Sequence, residues 1–209
     1  MRFLLLLALA LLFVQSAAAL GAKDVEGMYR NINPPLPTAN PDKVEVLEVF
    51  WYRCPHCNRF QSYVKAYEKE MPDYVDFRRM PAVLRDNWIP QAKMYFTAEA
   101  LGVLEDLHPL IFNAIHSERR PMSKLADIKA FFVENGVDAV KFDATWHSFH
   151  TDAAVRQADA QTRRYGITGV PTVIINGRYR TSGQVAGSYD AVLEVIRALV
   201  EEERSRISK

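Results

Sequence analysis

The chain has 209 residues, 49% of them hydrophobic, so a domain-sized core can be buried. Its 26 basic residues nearly balance its 25 acidic ones, for a formal net charge of +1. The basic residues form no stripe interleaved with aromatics, and the Arg119–Arg120 and Arg163–Arg164 pairs suit solvated helix faces, which argues against a nucleic-acid partner.

Arg2, the apolar run Phe3 to Val14, and small residues at Ala17 and Ala19 follow the order of a secretory signal peptide. The apolar run is shorter than the roughly 20 residues that span a bilayer. Cleavage after Ala19 is expected, leaving about 190 residues as a soluble protein outside the cytoplasm. No cysteine follows the run to accept a lipid, because the first is Cys54.

After a polar lead-in carrying Pro34, Pro35, Pro37 and Pro41, the segment Val44 to Trp51 is almost continuously apolar and β-branched, as in a buried central strand. Cys54-Pro55-His56-Cys57 follows at once, and Phe60, Val64 and Tyr67 then recur at helical spacing. A second strand is expected over Tyr74 to Met80. From about Asn87 to Tyr165 the pattern is helical. One run ends at Gly102, another covers Leu104 to His116, and a third starts after Ser123 and stops at Gly136. Two more cover Asp138 to Phe149 and Thr151 to Tyr165, the last closed by Gly166. The strand pattern resumes at Thr172 to Ile175. Asn176-Gly177 favours a tight hairpin into Arg178 to Thr181, and a closing helix runs from about Ser188 to Glu203.

The two cysteines are the most informative residues. Exported proteins stapled by disulfides normally carry several well-separated pairs. A loop this short stabilises a fold by only about 2 kcal/mol, against about 4.7 for a hundred-residue loop. A redox role fits better. Cys54 opens a helix, where unpaired backbone N–H groups and the positive end of the helix dipole favour a thiolate. Pro55 suits the next position because it needs no N–H donor there. The His56 backbone N–H and ring can also act on the Cys54 sulfur, while Cys57, one turn further in, should be more buried. The competing readings are a small structural disulfide, or half a zinc site built from Cys54, His56 and Cys57. No second cysteine pair exists to complete the latter, and His108, His116, His147 and His150 lie in the helical block, the last two on one expected helix face. No metal and no cofactor are expected. Glu48 is a carboxylate in a strand that should be buried, where desolvation raises its pKa and allows proton exchange near neutral pH.

The strand VEVLEVFWY running into Cys54-Pro55-His56-Cys57, with GVPTVIINGRYR far downstream, resembles the DsbA-like periplasmic disulfide oxidases of bacteria, over essentially the whole mature chain. The resemblance implies an α/β, thioredoxin-like fold over residues 20–84 and 166–209 with an all-helical insertion at 85–165. It implies catalysis by Cys54 and Cys57, tuned by Pro55 and His56, with Glu48 as a buried acid relaying protons for Cys57. It also implies a cis bond before Pro171, with Val170 and Pro171 offering backbone groups to an extended substrate segment. The lysine often paired with the buried acid is not evident, leaving Arg78 or Arg79, and Gln61 stands where some members have a glutamate. For scale, a thiol moved from about 8.5 to about 3.5, the value known for DsbA itself, stabilises the reduced form by about 4.8 kcal/mol at pH 7, on the order of 100 mV.

The partners implied are reduced exported proteins as substrates and a membrane-embedded, quinone-linked oxidase of the DsbB kind for reoxidation. Apolar residues near the motif, such as Trp51 and Phe60, are candidates for a docking groove as well as for the core. A disulfide isomerase or reductase is the nearest alternative. A periplasmic chaperone or metal-binding protein on the same fold is the alternative from another class.

Overall fold

The computed structural model describes residues 21–207, so the expected leader at residues 1–19 and its cleavage site lie outside the described residues. Strand β2 (Val44–Phe50) is buried along its whole length. Its near-continuous apolar character is what a strand covered on both faces requires. It runs parallel to β3 (Val75–Pro81) and antiparallel to β4 (Thr172–Ile175). Beyond β4 lie β5 (Tyr179–Thr181) and a two-residue strand β1 (Arg30–Asn31), giving the order β1-β5-β4-β2-β3. β1 falls in the proline-rich lead-in and has no sequence signal of its own. It is held by pairing with β5 and by the Ile32 N–H donating to Arg178 O at 2.6 Å.

One face of the sheet packs on α1 (Pro55–Glu70) and α8 (Tyr189–Ile207), where Val44, Val46 and Val173 meet Phe60, Val64, Tyr67, Val195 and Leu199. Full burial of each such side chain contributes roughly 1.5–3 kcal/mol. Phe60 is therefore core, 1% exposed. The closing helix runs past its expected end at Glu203, where Arg206 pairs with Glu202 and with the buried Glu203 one turn back.

The opposite face carries Leu47, Val49 and Ile174 against Met80, Trp88, Ala158 and Tyr165. Between β3 and β4 the chain forms α2 (Ile89–Ala100), α3 (Leu104–His116), α4 (Leu125–Glu134), α5 (Ala139–Trp146) and α6 (Phe149–Arg164). Met94, Ile111, Phe112, Phe132 and Phe142 form their common core. That core continues into Phe50, Tyr52, Cys54 and Cys57, so the cysteine motif sits where the sheet meets the helices. His147 and His150 do not share a helix face: His147 caps the end of α5 and His150 lies in the first turn of α6. A four-residue helix α7 (Gly183–Ala186), unforeseen from the sequence pattern, precedes α8.

The β4–β5 hairpin turns through Asn176 and Gly177, both at positive φ (48° and 63°), as a tight type I′ turn requires. Gly177 is also sterically necessary, since a Cβ there would lie 2.0 Å from Leu36 O.

Candidate active site

Cys54 is the N-cap of α1. Its φ/ψ of −82°/116° is extended, and its sulfur accepts the Cys57 N–H at 3.4 Å. Pro55 occupies the first helical position, so its missing donor leaves no hole in the helix ladder. The Cys54 thiol is lowered to about 6. The side-chain hydrogen bond with Cys57 is the largest cause; burial opposes it, and the backbone N–H groups of Cys57 and His56 and the His56 ring add to it. Cys57 is fully buried and moves the other way, raised first by desolvation and then by the Cys54 sulfur. The two thiols of one turn are thus split into a ready thiolate and a persistent thiol.

Glu48 sits in β2, fully buried, and burial pushes its carboxyl up to about 7 against the opposing influence of Arg79 and Gln61. Its basic partner is Arg79. The parallel register sets Glu48 opposite Arg79, whose Nε lies 3.4 Å from Glu48 Oε2, while Arg78 faces the other way and pairs with Glu45. Neither Glu48 Oε2 nor Arg79 Nε has a hydrogen-bond partner, so the contact is Coulombic. Such an under-bonded acid holds a proton more readily than a fully paired one. Its charge also contributes to raising Cys57.

A chain of hydrogen bonds leads away from the other oxygen of Glu48. Gln61 Nε2 of α1 donates to Glu48 Oε1 at 2.9 Å, and Gln61 Oε1 lies 3.2 Å from His108 Nε2 of α3. His108 Nδ1 lies 2.8 Å from the Tyr52 hydroxyl. Burial, with a smaller effect from Arg79, holds His108 down at about 3, so the ring is neutral. The consistent assignment is then Tyr52 O–H to Nδ1 and Nε2–H to the Gln61 carbonyl, which turns the Gln61 amide group toward Glu48. Tyr52 and His108 were not singled out as site residues from the sequence, and Gln61 was noted only for standing where some members have a glutamate. Two of the links span 47 and 56 positions and leave no local pattern.

On the other side of Cys54 the Val170–Pro171 bond is cis. The Cys54 thiol donates to Val170 O at 3.5 Å, across 116 positions. His56 is exposed. Its Nδ1 lies 2.8 Å from Arg59 Nη2, and its backbone carbonyl accepts from the Tyr189 hydroxyl at 3.1 Å. His56, Val170 and Pro171 line an open groove of about 660 Å³ that continues past Thr172 to Arg180 and Ser182. Trp51 is half-buried, stacked on Trp88 at 4.1 Å, and lies outside the lining of that groove. Among the described residues no three or more His, Cys, Asp or Glu side chains stand together as a metal site, and no helix is long and apolar enough to cross a membrane.

A Cys-x-x-Cys turn at the head of a helix, fed by the central strand of a thioredoxin-like sheet and faced by a cis-proline loop, defines a thiol:disulfide oxidoreductase. The sequence pattern of the DSBA-like thioredoxin domain matches residues 87–194. The thiol:disulfide interchange protein DsbA of Pseudomonas aeruginosa is 35% identical over 181 residues, covering 87% of this chain and 86% of the relative. The DsbA of Burkholderia cepacia is 36% identical over 197 residues, covering 94% and 91%. The crystal structure of Pseudomonas aeruginosa DsbA superposes with a TM-score of 0.83 at 34% identity, covering 88% of this chain and 95% of that one. That of Xylella fastidiosa DsbA gives 0.79 at 31%, covering 85% and 95%. The chain belongs to the DsbA-like family of thiol:disulfide oxidoreductases.

Proposed function

We propose that this protein is exported and introduces disulfide bonds into reduced proteins outside the cytoplasm, using Cys54 and Cys57 as its redox pair. The observation that carries the reading is the placement of the Cys54 sulfur, which takes the Cys57 N–H at the head of α1 and lies 3.5 Å from Val170 O beside the cis bond. A substrate thiolate attacks Cys54 Sγ of the oxidised protein, and the Cys54–Cys57 bond breaks with its electron pair passing to Cys57. Cys57, whose thiol is favoured by burial, takes up a proton; Glu48, poised near pH 7, supplies it and recovers it when the pair is reoxidised. A second substrate thiolate then attacks the substrate sulfur of the mixed disulfide and expels Cys54 as a stable thiolate. The substrate loses two electrons and the protein gains them.

In this scheme Pro55 and His56 shape the head of the helix. Val170 and Pro171 present backbone to the substrate segment, in the manner of strand addition. A membrane-embedded, quinone-linked oxidase of the DsbB kind takes the two electrons and restores the disulfide. Residues 85–165 form the inserted helical unit on the thioredoxin-like remainder, 20–84 with 166–209.

The test is oxidation of a reduced, disulfide-requiring protein by the oxidised chain at neutral pH. The expected result is stoichiometric disulfide formation, abolished in Cys54→Ser and equally in Cys57→Ser, since neither variant can hold the intramolecular disulfide. Tight stoichiometric zinc binding without any oxidation would instead support a metal carrier.

A further inference from the structure

Several arginines elsewhere on this protein face carboxylates: Arg79 meets Glu48 and Glu68, Arg120 meets Glu134, Arg178 meets Glu203 and Arg197 meets Glu70. The groove beside the cis bond departs from that arrangement. Its wall carries Arg30, Arg59 and Arg180 together with His56, and no aspartate or glutamate lines it. Carbonyl oxygens hold two of the three guanidiniums instead, and the third stands beside His56. Arg30 Nη1 donates to Gly27 O and Tyr29 O, both at 2.9 Å. Arg59 Nη2 lies 2.8 Å from His56 Nδ1. Arg180 Nη1 donates to Tyr165 O at 2.9 Å and to Gly166 O.

Contacts of this kind fix where a guanidinium sits without cancelling its charge. Arg180 in particular lies across Gly166, which leaves its place free: a Cβ there would overlap the guanidinium. Three oriented, uncompensated positive charges around a concave wall raise the local concentration of anionic groups and speed their association. The wall begins at His56, Val170 and Pro171, next to the reactive sulfur, so whatever it attracts is brought to the chemistry.

We propose that the groove selects polypeptide segments that carry an aspartate or glutamate within a few residues of the reacting cysteine. This rests on the oxidase reading and names its preferred substrate class. A segment lying extended past Val170 and Pro171 presents alternate side chains to one wall. A carboxylate there meets guanidiniums able to take it in a two-pronged hydrogen bond.

The test uses three cysteine peptides that differ only two positions from the thiol, in Glu, Gln or Lys, and measures the second-order rate at which each reduces the oxidised protein. The expected order is Glu, then Gln, then Lys, with about threefold or more between neighbours at low ionic strength. The order should collapse near 1 M salt, where the screening length is about 3 Å. Arg30→Gln and Arg180→Gln should each narrow the spread, and Arg120→Gln, which does not line the groove, should leave it. Equal rates at low salt, or an unchanged spread when Arg30 and Arg180 are both replaced, would overturn the proposal while leaving the oxidase standing. Failure of every peptide to react would overturn the oxidase reading and this inference with it.

Discussion

At the scale of single residues the protein is organised around two sulfurs three positions apart that titrate in opposite directions. The Cys54 thiol, brought down from 9.0 to about 6, stabilises the reduced folded state by about 1.4 kcal/mol at pH 7, or about 30 mV for the two-electron couple. That is smaller than the roughly 4.8 kcal/mol scaled from a thiol at about 3.5, because burial of Cys54 offsets part of what its donors contribute. A folded pKa below the unfolded one adds stability as pH rises through the window between them, here 6 to 9, and the contribution is lost as pH falls through 6. Glu48 has the opposite slope: its folded value is raised from 4.5 to about 7, so stability declines across that lower window. Above pH 7 the Cys54 contribution therefore dominates, until the raised Cys57 thiol begins to oppose it as pH nears 9. The reduced protein should gain about 2 kcal/mol over the oxidised one between pH 7 and 8.5, measured by denaturant unfolding of both forms. A difference that stays flat over that range would contradict the assignment of Cys54 as the stabilised thiolate.

At the scale of elements, β2, the turn and α1 form one contiguous unit, and the rest of the chain brings it partners. β3 supplies Arg79 to Glu48, α3 supplies His108 to Gln61, and the loop before β4 supplies Val170 O to the Cys54 sulfur. The β4–β5 hairpin anchors that loop, and its register depends on Gly177. Replacing Gly177 with alanine forces a side chain into positive φ and against Leu36 O. A loss of about 3 kcal/mol is expected in urea unfolding, with the Cys54 titration nearly unchanged, since the clash lies at the far end of the hairpin. A loss below about 0.5 kcal/mol would show that the strand ends can shift to admit it.

Across the whole molecule, the parts legible in the sequence were those encoded by neighbours. Continuous apolar character marked Val44 to Trp51, helical spacing marked Phe60, Val64 and Tyr67, and Asn176-Gly177 marked the hairpin. What escaped depends on register and on packing between distant elements. Arg78 and Arg79 are equivalent in sequence, and only the parallel pairing of β2 with β3 sends Arg79 to Glu48. His108 looks like any histidine of an amphipathic helix until α3 packs against α1. β1 is two polar residues that form a strand only because β5 offers them an edge. The arginine-lined groove likewise gathers residues from position 30 to position 189. All of these features surround one chemical asymmetry, a sulfur at the head of α1 that is favoured as an anion over a more deeply buried one that is not. The most direct test is equilibration of the protein with glutathione buffers at pH 7. The account expects a reduction potential less negative than about −200 mV, on the oxidising side of the glutaredoxins. A value near thioredoxin's, about −270 mV, would contradict it and mark the protein as a reductant.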